Sequence, residues 1–219
     1  KTVEQTRRLV ESDEVLLVFG GVGTPTNSAV HKYLNDRKVP QLFLGSGAAK
    51  WDDPKNFPWT VAWQPTYRDE AIAYATYIKA SHPAAKVGIL YQNDDLGKDY
   101  LKALEEGMGG SDRIVAKAPY ETTQPTVDTQ ILLLKSSGAD VVLVAATPKF
   151  AAQAIRKIAE IGWKPTTIIS NVSASISGVL EPAGRDNSTG VISSQYLKDA
   201  TDPGLKNDPG YQEWLAFMN

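Results

Sequence analysis

The sequence predicts an α/β fold built on parallel, doubly wound sheets, and three observations carry that prediction. Apolar runs of strand length, such as Val15-Leu16-Leu17-Val18-Phe19 and Val141-Val142-Leu143-Val144, show no polar alternation, as expected for strands covered on both faces. Strand and helix patterns then alternate along most of the chain, which is the signature of a parallel sheet rather than of a sandwich or bundle. Finally, strands empty into loops of glycine and hydroxyl residues: Gly20-Gly21-Val22-Gly23-Thr24 after the first, Gly45-Ser46-Gly47-Ala48-Ala49 after the second. Neighbouring strand ends of this kind offer backbone amides and hydroxyls to one crevice, the usual ligand position in open α/β sheets.

Taken in order, an amphipathic helix over Val3 to Val10 precedes the first strand, and Gln41 to Leu44 forms the second. Trp59 to Pro65 is a short extended segment stopped by its proline, and it marks a crossing between two lobes. The helix from Tyr67 to Ser81 follows Thr66, whose hydroxyl can cap it, with Asp69 near its start where a carboxylate favours the dipole. Lys86 to Tyr91 is a strand and Gln92 to Gly97 a loop, before a helix that runs to Gly107 and closes on the turn Gly107 to Gly110. A strand at Ile114 to Ala118 leads to a helix starting at Thr126. Ala139 to Ala146 is the cleanest strand, ending in Thr147-Pro148, and helix continues from Phe150 to Ile161. Thr167 to Ser170 and Val191 to Ser193 are short strands, with Asn171, Ser173, Ser175 and Ser177 following the former. Asp199 to Gly210 reads as an exposed loop and Tyr211 to Asn219 as helix.

Composition narrows the function classes. With 42% hydrophobic residues, 219 residues suffice for one large domain or two small ones with real cores. A net charge of −2 and the lack of a long Lys/Arg cluster argue against nucleic acid or an anionic membrane as the main partner. No apolar stretch approaches the ~20 residues that span a bilayer. The absence of cysteine excludes disulfides, thiolate metal sites and cysteine nucleophiles, while leaving the compartment open. Both ends read as cut, so a missing export signal says nothing about export.

The order Phe19-Gly20-Gly21-Val22-Gly23-Thr24, then Gly45-Ser46-Gly47-Ala48, then Tyr91-Gln92-Asn93-Asp94-Asp95-Leu96-Gly97 resembles the type I periplasmic solute-binding proteins of ABC transporters, and among them the leucine/isoleucine/valine-binding family. The resemblance covers essentially the whole chain, starting inside the family's first lobe and stopping before its end. It implies a two-lobed fold with parallel doubly wound sheets and an incomplete first lobe: a first-lobe part at residues 1–64, the second lobe at 65–193 and a return to the first lobe at 194–219. It further implies a periplasmic or surface-anchored protein that captures a small carboxylate-bearing solute, either an amino acid or an aromatic or other organic acid. The closed form would be presented to a membrane permease. Carried over by position, the first-lobe ligand contacts are Thr24, Ser46, Ala48 and Ala49; the second-lobe contacts are Leu96, Thr147 and Asn171 or Val172, with Trp63 and Tyr67 beside the hinge. A carboxylate held by backbone amides at strand ends and helix starts needs no charged side chain, which suits these small residues.

Two departures from the family pattern bear on specificity. Its amino-acid binders place an acidic residue near Asn171 or Val172 and aromatics near Leu96 and Thr147, and here these are absent, so an ammonium partner is missing or supplied by Asp94 or Asp95. The incomplete first lobe also makes a homodimer or swapped assembly an expectation.

Other readings stand beside these. The glycines of Gly20 to Gly23 would also serve tight packing of helix on strand, Asp94-Asp95 would serve as a helix cap, and Ser170 to Ser177 as a solvated turn. Trp51, Trp59 and Trp163 read as packing residues; His31 and His82, isolated and without a partner at metal spacing, read as surface residues. An enzyme finds no machinery: the dinucleotide fingerprint lacks its third glycine, no Gly-Lys-Ser/Thr exists, and Gly45-Ser46-Gly47 has the wrong spacing for a nucleophile elbow. No catalytic residue, metal ligand or cofactor is assigned. A ligand-sensing domain of a receptor or regulator is the alternative, and an α/β hydrolase or transferase a more distant one.

Overall fold

The computed structural model describes residues 1–218. In chain order the elements are α1 (Thr2–Glu11), β1 (Val18–Phe19), α2 (Thr24–Asp36), β2 (Gln41–Leu44), β3 (Thr60–Ala62), α3 (Tyr67–Ser81), β4 (Val87–Gln92) and α4 (Asp95–Met108). They continue with β5 (Ile114–Tyr120), α5 (Asp128–Ser136), β6 (Val141–Ala145), α6 (Pro148–Glu160) and β7 (Thr166–Ile169). The short helices α7 (Glu181–Ala183) and α8 (Arg185–Ser188) follow, then α9 (Pro209–Met218). Two compact units result, one of Lys1–Ala84 with Tyr91–Ile114, the other of Ala85–Leu90 with the residues from Val115 on.

In the first unit β1, β2 and β3 form a parallel sheet in that order. Helix α2 covers one face: Gln41 donates from Nε2 to Asn27 Oδ1 at 3.0 Å, and Asn35 from Nδ2 to Thr60 Oγ1 at 2.8 Å. Gly21 permits this approach, since a Cβ there would lie 2.5 Å from Asn27 Oδ1, so the packing role of the glycine loop is real. The opposite face carries Phe19, Leu42 and Val61 in register. A bulge between Leu42 and Leu44, with Phe43 at φ +54°, brings the Phe43 ring to 5.4 Å from that of Phe19.

This corrects the expectation of a first strand buried on both faces. Only Val18 and Phe19 of the apolar run are strand; Leu16, before the strand, is 85% exposed, and Phe19 is 69% exposed because α2 shields one side of the sheet only. Helices α3 and α4 bury Tyr74, Ala75, Ile78, Tyr100 and Leu104. Gly107 lets them close up, for a Cβ there would meet Ala75 Cβ at 2.6 Å. Both begin on side-chain caps: Thr66 Oγ1 accepts from Asp69 N–H at 3.0 Å, and Asp94 Oδ1 accepts from Leu96 N–H at 3.0 Å. The cap reading of Asp94 therefore holds, and α4 ends on left-handed Gly109, as the turn chemistry demands.

In the second unit the strand order is β5-β4-β6-β7, with β6 and β7 parallel and paired from Val141↔Thr166 to Val144↔Ile169. All five residues of β6 are buried, as its unbroken apolar run predicts. Leu90, Ile131, Leu134, Val142, Val144, Phe150 and Ile155 belong to one hydrophobic core. The strand expected at Val191 to Ser193 is a single bridge, Ile168↔Ile192, with Ile192 N–H donating to Thr167 O and Ile192 O accepting from Ile169 N–H. The serine-rich segment is not a solvated turn throughout: Ser170 and Ser173 are buried, their hydroxyls donating to Ala146 O at 3.4 and 2.6 Å. Ser175, in contrast, caps the next turn by accepting from Gly178 N–H. The segment Asp199 to Gly210 is largely exposed, and Lys198 pairs with Asp208 at 2.6 Å. Helix α9 follows; Asn219, expected at its end, lies outside the described residues.

Candidate functional site

In the first unit the expected residues stand at the carboxyl ends of three parallel strands: Thr24 after β1, Ser46 after β2 and Trp63 after β3. The hydroxyls of Thr24 and Ser46, 22 residues apart in sequence, lie 2.7 Å apart, and both residues are shut from solvent. Tyr67 OH is 3.3 Å from Thr24 Oγ1. Ser46 Oγ also accepts from the Trp51 indole N–H at 2.9 Å and, at 3.5 Å, from Ala48 N–H. The four groups thus satisfy one another in a closed polar cluster. Gly47 is fixed by the same packing, since a Cβ there would meet Pro65 O at 2.7 Å and the Tyr67 ring at 2.9 Å.

Ala49 differs from its neighbours, being exposed, and its N–H donates to Asp99 Oδ2 at 2.9 Å. The amide matched to a solute's carboxylate holds one of the chain's own. One turn earlier on α4, Asp95 pairs with Lys50 at 2.7 Å. Ala49 and Asp99 border a hollow of about 120 Å³ with Arg68, Lys102, Ala103 and Glu106. Trp63 is half exposed, while Leu96 is buried in the first turn of α4, within the first compact unit.

Burial pushes the Asp99 carboxyl above its ordinary value; the Ala49 N–H pulls it back, Asp95 adds to the rise, and Lys102 and Lys50 oppose it. The native state therefore holds this proton more tightly than the unfolded chain. Asp99's contribution to stability falls as pH rises through the ordinary carboxylate range, near 4, towards the raised native value. Asp99→Asn keeps an acceptor for Ala49 and removes the half-buried charge. Its melting temperature at pH 7 is expected to equal or exceed that of the parent, with the gap closing below about pH 3.5. A lower value at pH 7 would show that the charge itself holds the contact.

In the second unit Thr147 follows β6, and Asn171 and Val172 follow β7, so all three stand at the carboxyl ends of two paired parallel strands. All three are partly exposed. Thr147 N–H donates to Tyr120 OH at 3.1 Å, and the Ser170 and Ser173 hydroxyls tie the two strand ends together through Ala146 O. A groove of about 420 Å³ in this unit, lined by Trp163, Pro165, Asp186 and Val191 among others, lies beside the start of β7. It is at the opposite end of that strand from Asn171.

Asp99 and Trp51 were missed as site residues. The signal for Asp99 was its spacing of four from Asp95, which puts both carboxylates on one face of a helix. Trp51 carried none beyond its nearness to Ser46. Among the described residues no group of His, Cys, Asp and Glu could hold a metal ion, and no helix is long and apolar enough to cross a membrane.

Solved structures share this arrangement of parallel α/β units whose strands carry hydroxyls and small residues at their carboxyl ends. A structure from Rhodopirellula baltica SH 1, described as a possible leucine/isoleucine/valine-binding protein, superposes with a TM-score of 0.81 at 20% identity, covering 99% of this chain and 58% of that one. A branched chain amino acid ABC transporter protein from Thermus thermophilus with bound valine gives 0.79 at 16% identity, covering 97% and 55%. In sequence, a Leu/Ile/Val-binding protein homolog from Brucella abortus is 25% identical over 132 residues, 59% of this chain but 32% of its own length. The chain thus spans a little over half the length of these structures and less of that relative. The family model for periplasmic binding proteins matches residues 1–216, and the chain belongs to that family, one of solute-binding proteins and not of enzymes.

Proposed function

We propose that this chain contributes the solute grip of the extracytoplasmic component of an ABC importer, capturing a small carboxylate-bearing molecule between two hinged lobes. The solute class is an amino acid or an aromatic or other organic acid. The first lobe would comprise residues 1–64 and 194–219, the second 65–193, with closure a population shift drawn by contacts to both. A membrane permease is the partner, and the periplasm or outer cell surface the location.

The observation that carries this reading is the Thr24–Ser46 hydroxyl pair, 2.7 Å apart at the ends of adjacent parallel strands. Fixed hydroxyls beside strand-end amides suit a carboxylate oxygen and need no charged side chain. Support comes also from the family, whose location is extracytoplasmic, and from relatives named for leucine, isoleucine and valine. Thr147, Asn171 and Val172 are the second-lobe candidates; Ala48, Ala49, Trp63, Tyr67 and Leu96 complete the set.

The test is a thermal-shift screen against L-valine, L-leucine and benzoate, because a molecule bound only by the native state raises the midpoint. Thr24→Val or Ser46→Val should weaken a hit by about 1–3 kcal/mol, the cost of an unmet polar group. Unchanged affinity in both variants would remove the first-lobe assignment, and a hit that is chemically converted would remove the binder reading.

A further inference from the structure

His31, expected at the surface, is buried on the inner face of α2, and its place there is a consequence of two distant aromatics. The ring stacks on Phe57, centroids 4.0 Å apart and planes 27° from parallel, and meets Trp51 edge-on at 5.0 Å. Its Nε2 is enclosed and has no hydrogen-bond partner among the described residues. Such a group is tolerated as a neutral imidazole, whose second nitrogen can go unused at modest cost, but an imidazolium there would carry a buried N–H with nothing to accept it.

The same Trp51 that walls His31 sends its indole N–H to Ser46 Oγ at 2.9 Å, and Ser46 in turn meets Thr24 at 2.7 Å. Imidazole, indole and hydroxyl pair therefore form one packed chain of groups inside the first unit. We propose that His31 is a positioning residue for the Thr24–Ser46 pair, acting through Trp51, and that adding a proton to it loosens that pair. The inference rests on the solute-grip reading of those two hydroxyls.

The charges facing the ring set the direction. Lys50, whose ammonium lies 5.1 Å from the centre of the Trp51 ring, repels a second cation; Asp53, on the segment that brings Phe57 in, opposes it more weakly. Burial is the largest influence, and it works with Lys50 to hold His31 below its ordinary value. The unfolded or loosened chain takes up the proton first. As pH falls below about 6.5, the clamped arrangement loses stability, and the loss levels off once pH passes the lower native value. A solute held at neutral pH is released on acidification.

The chain has two histidines, so proton NMR of the imidazole Hε1 signals resolves both titrations in the intact protein, with His82→Gln assigning them. The Trp51 indole N–H, assigned with Trp51→Phe, is followed over the same range. The expected result is a His31 midpoint below about 6.5, with the Trp51 indole signal moving at that midpoint and becoming flat in His31→Gln. A His31 midpoint at or above 6.5, or a still indole signal while His31 titrates, overturns the inference; this readout on the parent chain and His82→Gln decides the matter even if His31→Gln fails to fold.

Binding of L-valine and benzoate is then measured by calorimetry at pH 7.5 and 5.0. Affinity at least about threefold weaker at pH 5.0 in the parent, and equal at both values in His31→Gln, supports the proposal, a threefold change being half a pK unit of coupling. Coupled NMR titrations with neither probe binding would support the positioning role while refuting the solute-grip reading for these probes. Pronounced binding with uncoupled titrations would do the reverse.

Discussion

Replacing Gly97 by alanine is expected to leave little folded protein. Gly97 sits in the first turn of α4, directly against the end of β4, and an added Cβ would lie 2.0 Å from Gln92 O and 2.7 Å from Gln92 N. Those are backbone atoms, which cannot swing aside as the tip of a long side chain would. Relief would require the helix start to move, breaking the Asp94 cap that accepts from Leu96 and Gly97. Overpacking of this kind costs about 3 kcal/mol or more, a large share of a domain's stability. Thermal unfolding and the soluble fraction on expression are the measurements. Gly138→Asn is the control: its φ of +74° suits asparagine and open space surrounds it, so the expected change is within about 1 kcal/mol. Gly97→Ala melting within a degree or two of the parent would refute the close approach.

Glu70→Ala should be nearly as damaging, for an electrostatic reason. The Glu70 carboxylate is buried on α3 and accepts from two phenols, Tyr74 OH and Tyr100 OH, the latter at 2.5 Å. Burial first, and the Glu70 charge second, push the Tyr100 phenol well above its ordinary value, so it stays protonated and donates. Removing the carboxylate strips the acceptor from two enclosed hydroxyls and leaves a void between α3 and α4. A loss of about 2–4 kcal/mol is expected. Glu70→Gln, which retains one carbonyl acceptor, should lose roughly half as much. The effect should extend beyond stability, because Tyr100 stacks on Tyr67 at 5.1 Å and Tyr67 reaches Thr24. An alanine variant as stable as the parent in chemical denaturation would sink this account.

How much of this could be read from the sequence depended on the range of the interaction. Features set by neighbours within one turn were legible: Thr66 as cap, α3 from Tyr67 to Ser81, Asp94 as the start of α4 and the buried strand β6. The Thr24–Ser46 meeting was legible too, since strand order alone brings consecutive parallel strand ends side by side. What escaped was decided by residues far apart. His31 is interior only because Trp51 and Phe57, 20 and 26 positions later, fold over it. Phe19 looks like a core residue until its uncovered side of the sheet is known, and Phe43 gives no hint of a left-handed backbone. The carboxylate found on Ala49 comes from Asp99, brought there from 50 positions away; of the two residues the family resemblance offers as an ammonium partner, Asp94 serves as a cap and Asp95 pairs with Lys50.

The mutual satisfaction of Thr24 and Ser46 has a bearing on selectivity. A receptor group left wanting a partner penalises every visitor that cannot supply one, and sharp discrimination between near-identical molecules arises that way. In the proposed grip each hydroxyl already has company, so an arriving oxygen exchanges one bond for another, and an apolar visitor strands nothing. Choice among guests of the proposed grip must then come from size and shape, and a solute carboxylate reaching Ala49 would first have to displace Asp99 from its N–H.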